Sequence, residues 1–383
     1  MKIDFFKHNI GTKEKRDLCK VLDSIFLTTG DAVREFEKRF SKYIDCKYTI
    51  GLMSCTSALH LSMLAYGIGP GDEVITTPMT FVATAASIMH AGAKPVFVDV
   101  EPATGNLNAD LIEEAVTNRT KAILPVHLYG NMCDMREIRR IAKKYGLIVI
   151  EDAAHAIEAQ RDGYKAGELA DAVCFSFYAT KSITCGEGGA VSLNDKEKSG
   201  LIRKLSLHGL TRGAADRYVG KYRHWEMNML GWKCNMSNIQ ASLLLNQLAN
   251  IEKYRAKREK IARRYEEAFS DVKGMNFPKV PKNSKSGRHL FTIWVDPRER
   301  DEALHYLQTK GIGAAVNYRA IHTLDYFKKV LGYHIGDFPV AEMIGDSTIS
   351  LPLYPKLSVK ETDYIIKSVR QMKLSHTRFG ITP

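Results

Sequence analysis

The chain has 383 residues, 45% hydrophobic and 26% charged, which suits a globular protein with a large core and room for two domains. No apolar run approaches the roughly 20 residues that cross a bilayer, and the start, Met1-Lys2-Ile3-Asp4-Phe5-Phe6-Lys7, carries an early acid and no apolar signal core, so the reading is cytoplasmic with no membrane partner. The net charge of +12 suits nucleic acid, a membrane surface or a phosphorylated small molecule alike, but no Lys/Arg block with interleaved aromatics and no zinc-finger spacing occurs. The seven cysteines include no CxxC pair, which predicts reduced thiols and no metal.

From residue 48 to 194, short apolar runs alternate with amphipathic segments. Strands are expected at 48–53, 73–77, 95–100, 122–126, 147–151, 172–177 and 190–193, and helices at 56–66, 81–91, 109–116 and 135–145. Apolar runs without alternation suit a sheet covered on both faces, and intervening helices make it mostly parallel. Residues 196–208 read as a helix, 213–233 as an irregular loop and 237–269 as one long helical stretch with Ser237 as N-cap. Residues 274–287 read as a linker. A smaller α/β unit follows: strands at 289–295, 312–317 and 347–351, helices at 298–310 and 359–372, then a polar tail. The fold class is therefore α/β, with residues 1–250 as an N-terminal arm and large domain and 251–383 as a small C-terminal domain.

Chemistry concentrates at the carboxyl ends of these strands, where parallel sheets bind ligands. Asp152 ends an apolar run; its neighbour Glu151 faces the other way because strand side chains alternate. Lys181 follows the apolar segment Phe175-Ser176-Phe177 and precedes Gly186, Gly188 and Gly189. A buried acid and a lysine at adjacent strand ends suit pyridoxal phosphate (PLP): the amine bonds the cofactor aldehyde, and the acid keeps the pyridine nitrogen protonated. Ser54-Cys55-Thr56-Ser57 sits between a strand and a helix and suits a phosphate, or an ordinary N-cap. Phe81 suits ring stacking or core packing. His155, three residues after the acid, suits cofactor contact or structure. Arg319 and His322 suit a phosphate or carboxylate, or plain solvation.

With those residues in place, the chain resembles the DegT/DnrJ-type nucleotide-sugar aminotransferases of the PLP-dependent type I fold. The likeness covers nearly the whole chain through Thr28-Thr29-Gly30, Gly69-Pro70-Gly71-Asp72, Pro125-Val126-His127-Leu128-Tyr129-Gly130, Glu151-Asp152-Ala153-Ala154-His155, the Lys181 segment, Asn235-Met236-Ser237 and Ser350-Leu351-Pro352. It is similar to the branch that aminates C4 of a sugar, and Lys181 sets it apart from a dehydratase branch with histidine there. The resemblance implies a large, mostly parallel seven-stranded sheet. It implies Lys181 and Asp152 as catalytic residues. Thr56, Ser57 and Ser176 would hold the phosphate, joined by Asn235 of a neighbouring subunit. Phe81 and Ala154 would sandwich the ring, with His155 near the phenolic oxygen. Thr29, Gly30, Arg319 and His322 would face the sugar nucleotide. L-glutamate is the implied donor, a UDP- or dTDP-linked 4-keto sugar the implied acceptor, and a homodimer with shared sites the implied assembly. A 3-keto-sugar aminotransferase and a regulatory DNA-binding protein on the same scaffold stand as alternatives.

Overall fold

The structure, a computed structural model, describes residues 1–211 and 224–374. Most of the loop expected at 213–233, and the polar tail, lie outside the described residues. In chain order the helices and strands are α1 (Thr12–Leu22), α2 (Asp31–Ile44), β1 (Tyr48–Leu52), α3 (Cys55–Ala65), β2 (Glu73–Thr76), α4 (Val82–His90), β3 (Lys94–Phe97), β4 (Thr120–Ile123), α5 (Met135–Tyr145), β5 (Ile148–Asp152), β6 (Gln160–Arg161), β7 (Tyr164–Lys165), β8 (Ala172–Ser176) and β9 (Gly189–Leu193). They continue with α6 (Lys196–Leu205), α7 (Asn238–Ala249), α8 (Ile251–Phe269), β10 (Met275–Asn276), β11 (Ser284–Lys285), β12 (Phe291–Val295), α9 (Arg300–Thr309), α10 (Asp325–Leu331), α11 (Pro339–Ser347), β13 (Thr348–Leu351) and α12 (Val359–Arg370).

Among the described residues, seven strands form the large sheet in the order β1-β9-β8-β5-β4-β2-β3. Within it, only β9 runs antiparallel to its neighbours. The mostly parallel seven-stranded sheet is thus present as the sequence predicts. Alternation divides its side chains between two cores. Ile75, Ile123, Val149, Val173 and Phe175 face one layer; Val74, Ala122, Ile150, Ala172 and Cys174 face the other. Helix α2 buries Val33, Phe36, Phe40 and Ile44 on one stripe, and Phe40 meets Phe175 edge-on at 5.0 Å. A separate core joins α8, β12, β13 and α12, and Ile3 from the chain's start packs into it.

Four expectations change. Residues 109–116 form two 3₁₀ turns, Ala109–Leu111 and Glu113–Ala115, instead of one helix. Residues 312–317 make only single bridges, Ile312 to Ile3 and Ala315 to Ser350 on the open edge of β13, and no continuous ladder. The stretch from 237 to 269 breaks at Asn250 into α7 and α8. The segment read as a linker contains β10 and β11. Among the described residues, no helix is long and apolar enough to cross a membrane, and no group of three His, Cys, Asp or Glu side chains is arranged to hold a metal.

Candidate active site

A cavity of about 510 Å³ opens at the carboxyl ends of the parallel strands. The ends of β1, β2, β4, β5 and β8 each deliver one part of its wall. After β1 comes the N-terminus of α3, where Ser54 caps Ser57 N–H at 3.1 Å and Cys55 and Thr56 line the cavity. After β2 come Thr80 and Phe81, and after β4 Val126 and Leu128. Asp152 ends β5 and is followed by Ala154 and His155; Ser176 ends β8 and is followed by Tyr178 and Lys181.

Asp152 is buried at the floor. Thr84 Oγ1 donates to its Oδ2 at 2.8 Å, and the Ala154 N–H donates to Oδ1 at 3.1 Å. Burial raises its pKa, while those two hydrogen bonds and Lys181 pull the other way. Burial pushes the Lys181 amine down from 10.5 to about 8, against the opposing influence of Cys55 and Asp152. An amine tuned to that range is available as a nucleophile and base near neutral pH. Glu151 points to the opposite face of the sheet, where its Oε2 lies 3.0 Å from His127 Nε2.

The residues fit PLP. The lysine and the buried acid share one cavity, and the start of α3 presents backbone N–H groups at a positive helix end, which suits the phosphate. A cradle is also visible: a Cβ on Gly189 would lie 2.3 Å from the Ser54 carbonyl carbon and 2.4 Å from Cys55 N, so β9 can press against this turn only as glycine.

Ser57, an expected phosphate ligand, does not line the cavity; its hydroxyl pairs with Ser54 Oγ at 2.9 Å. Thr29 and Asn235 line a second cavity of about 1000 Å³, and Asn235 Nδ2 donates to Thr29 Oγ1 at 2.7 Å. Gly30 caps α2 beside them, against Asn238. Arg34, Lys38, Arg203, Lys204 and Lys233 make this second cavity basic. Arg319 is exposed, with Nε 3.8 Å from Asp346 Oδ1. His322 corrects an expectation: it is fully buried, its Nε2 is 2.8 Å from Glu342 Oε1, and its ring packs edge-on against Phe338 at 4.8 Å, so it faces the protein interior and not a sugar.

Three wall residues escape a reading of the sequence. His289 precedes β12, and Tyr318 follows the bridging segment; both reach the cavity from more than 100 residues away. His289 is placed by Gly130, whose positive φ and missing Cβ let the 128–130 turn approach Arg288 and His289. Tyr129 O then accepts from His289 N–H at 3.2 Å. Thr84 is the third; its spacing from Phe81 on α4 is the one local signal for it.

The sequence profile of the DegT/DnrJ/EryC1/StrS aminotransferase family matches residues 8–370. The chain belongs to this family. It is a PLP-dependent sugar aminotransferase. It is 42% identical over 372 residues to the uncharacterized protein MJ1066 of Methanocaldococcus jannaschii, covering 96% of each chain. It is 41% identical over 369 residues to the spore coat polysaccharide biosynthesis protein SpsC of Bacillus subtilis, covering 95% of each. Among solved structures it is similar to the putative sugar aminotransferase Spr1654 of Streptococcus pneumoniae in its PMP form, with TM-score 0.92 and 32% identity over 96% of this chain and 98% of that one.

Proposed function

We propose that this aminotransferase moves the amino group of L-glutamate to the C4 ketone of a UDP- or dTDP-linked keto sugar, for the synthesis of a polysaccharide or lipopolysaccharide. The observation that carries the chemistry is the shared cavity of Lys181 and Asp152, with Asp152 held by Thr84. When bound, PLP supplies an electron sink for breaking a bond at the amino-bearing carbon. Lys181 anchors the cofactor and carries the proton to and from that carbon. Asp152 holds a proton at the pyridine nitrogen. The N–H groups at the start of α3 and the Ser176 hydroxyl hold the phosphate, and Phe81 and Ala154 enclose the ring. His155 stands on the side of the phenolic oxygen.

The likeness to SpsC supports a polysaccharide destination. The basic second cavity supports the nucleotide part, because a diphosphate is drawn to clustered Lys and Arg. Thr29 and Asn235 lie there and not beside Lys181, so we read the assembly as a homodimer in which a second copy brings them to the first cavity. The test is amination of a panel of 4-keto and 3-keto nucleotide sugars with L-glutamate as donor, with the position of the new amine read by NMR. A 4-amino product is expected. A 3-amino product would instead establish the 3-keto reading, and no amination of either set would defeat the sugar assignment.

A further inference from the structure

The start of the chain is clipped to the C-terminal part of the fold. Ile3 N–H donates to the Gly311 carbonyl at 2.8 Å, and Gly313 N–H donates to the Ile3 carbonyl at 2.7 Å. The Ile3 side chain is buried in the core of α8, β12, β13 and α12. Four residues on, Lys7 Nζ lies 3.7 Å from Glu361 Oε1 and 5.8 Å from the centre of the Tyr354 ring. Two glycines permit the close approach. A Cβ on Gly311 would lie 2.5 Å from the Met1 carbonyl oxygen, and one on Gly313 would lie 2.4 Å from Phe5 N.

Burial alternates along this arm. Ile3 is buried and Phe5 and Lys7 are partly buried, while Lys2, Asp4 and Phe6 are exposed. Alternate side chains of an extended chain share a face, so Phe5 turns the same way as Ile3, toward the protein. There it forms part of the wall of the active-site cavity. The bridge between Ile3 and Ile312 is parallel, so the arm and the 312–318 segment advance together, and that segment reaches the same wall at Asn317 and Tyr318.

Phe5 comes from none of the strand ends that gather Lys181, Asp152 and the start of α3. With the cofactor taken by those residues, the wall made by the arm and by Asn317 and Tyr318 is left to the substrate. The two substrates offer an aromatic ring different things. Glutamate carries two carboxylates, which the negative face of a phenyl ring does not attract. A sugar ring presents C–H bonds, which that face does attract.

We propose that Phe5 is a specificity-determining residue for the sugar half of the reaction: its ring packs against a C–H face of the keto sugar, and the Ile3 clip holds it there. The sugar end of the inference rests on the keto-sugar reading; the clip does not.

Phe5→Ala should lower kcat/KM for the keto sugar at least about tenfold, chiefly by raising KM, as loss of an apolar binding contact does. The rate at which L-glutamate bleaches the visible band of the lysine-bound cofactor should stay that of the wild type, which also shows that the variant folds. Gly313→Ala, whose Cβ presses on the Phe5 backbone, should give the same one-sided loss. Amide hydrogen exchange of the full chain should show Ile3 and Gly313 protected in the wild type, and Ile3 less protected in Gly313→Ala. Equal losses with glutamate and with sugar, in a variant that keeps the wild-type circular dichroism, would overturn the proposal. So would no loss with either substrate, or unprotected Ile3 and Gly313 amides in the wild type. A wild type that bleaches with glutamate but aminates no keto sugar would instead defeat the sugar reading, and this proposal with it.

Discussion

Thr84 and Asp152 are joined across the cavity floor, helix to strand: Thr84 Oγ1 donates to Asp152 Oδ2 at 2.8 Å, and Thr80 Oγ1 lies 2.8 Å from Thr84 Oγ1 behind it. The bond favours the ionised acid in a place where burial disfavours it. Thr84→Val keeps the shape and removes the donor. It should cost about 1–2 kcal/mol of stability and, by leaving Asp152 more often protonated, weaken PLP binding about tenfold at neutral pH. Titration of the cofactor-free variant with PLP, followed by visible absorbance, measures this.

Burying Lys181 carries a cost that depends on pH. Its pKa is about 8 in the fold and 10.5 for the ordinary side chain. Between those values the unfolded chain holds a proton that the folded one does not, so stability rises with pH across that window, and the full cost is present below it. In the cofactor-free protein, Lys181→Met should raise the melting temperature at pH 7, and the gain should shrink as pH rises through 8. Thermal melts of both proteins at several pH values check this.

Gly189→Ala tests the cradle. Its Cβ would collide with the Ser54 and Cys55 backbone, which must shift the start of α3. PLP affinity should fall at least tenfold, a loss of about 1.4 kcal/mol, while the far-ultraviolet circular dichroism stays that of the wild type. Unchanged affinity would mean that this turn does not hold the phosphate.

Much of the large sheet is legible in the amino-acid sequence alone. The large-sheet strands are short apolar runs bounded by helices, and Asp152 and Lys181 stand out because each follows such a run. The 109–116 segment misleads because its apolar spacing is helical, yet it closes only 3₁₀ turns. The 312–317 segment misleads because an apolar run does not say how far pairing extends: it touches the edge of β13 at a single bridge, Ala315 to Ser350. The family resemblance puts His322 at the sugar, and nothing near it in sequence corrects that, because Glu342 lies 20 residues on and meets it at 2.8 Å. Tyr318 and His289 stay hidden for a related reason: their meeting with His155 depends on contacts between the large sheet and the C-terminal strands, which no local pattern encodes.

Arg258 and Glu158 make a buried pair, Nη2 to Oε1 at 2.6 Å, and Arg258 also donates to the carbonyls of Gly287 and Arg288. It thereby ties α8 to the loop after β5 and to the segment leading to His289. Arg258→Met should destabilise by about 3–5 kcal/mol because Glu158 is left buried and unpaired, and adding Glu158→Gln should recover part of that. Urea unfolding of the single and double variants gives both numbers.

The most direct test of Lys181 as the cofactor anchor and proton carrier is the absorbance of the purified protein with PLP, before and after L-glutamate, beside Lys181→Ala. The wild type should show a visible band of the lysine-bound cofactor that glutamate bleaches, with 2-oxoglutarate formed, and the variant should neither show that band nor form 2-oxoglutarate. A wild-type spectrum indifferent to glutamate, or a Lys181→Ala protein that behaves like the wild type, would contradict that assignment.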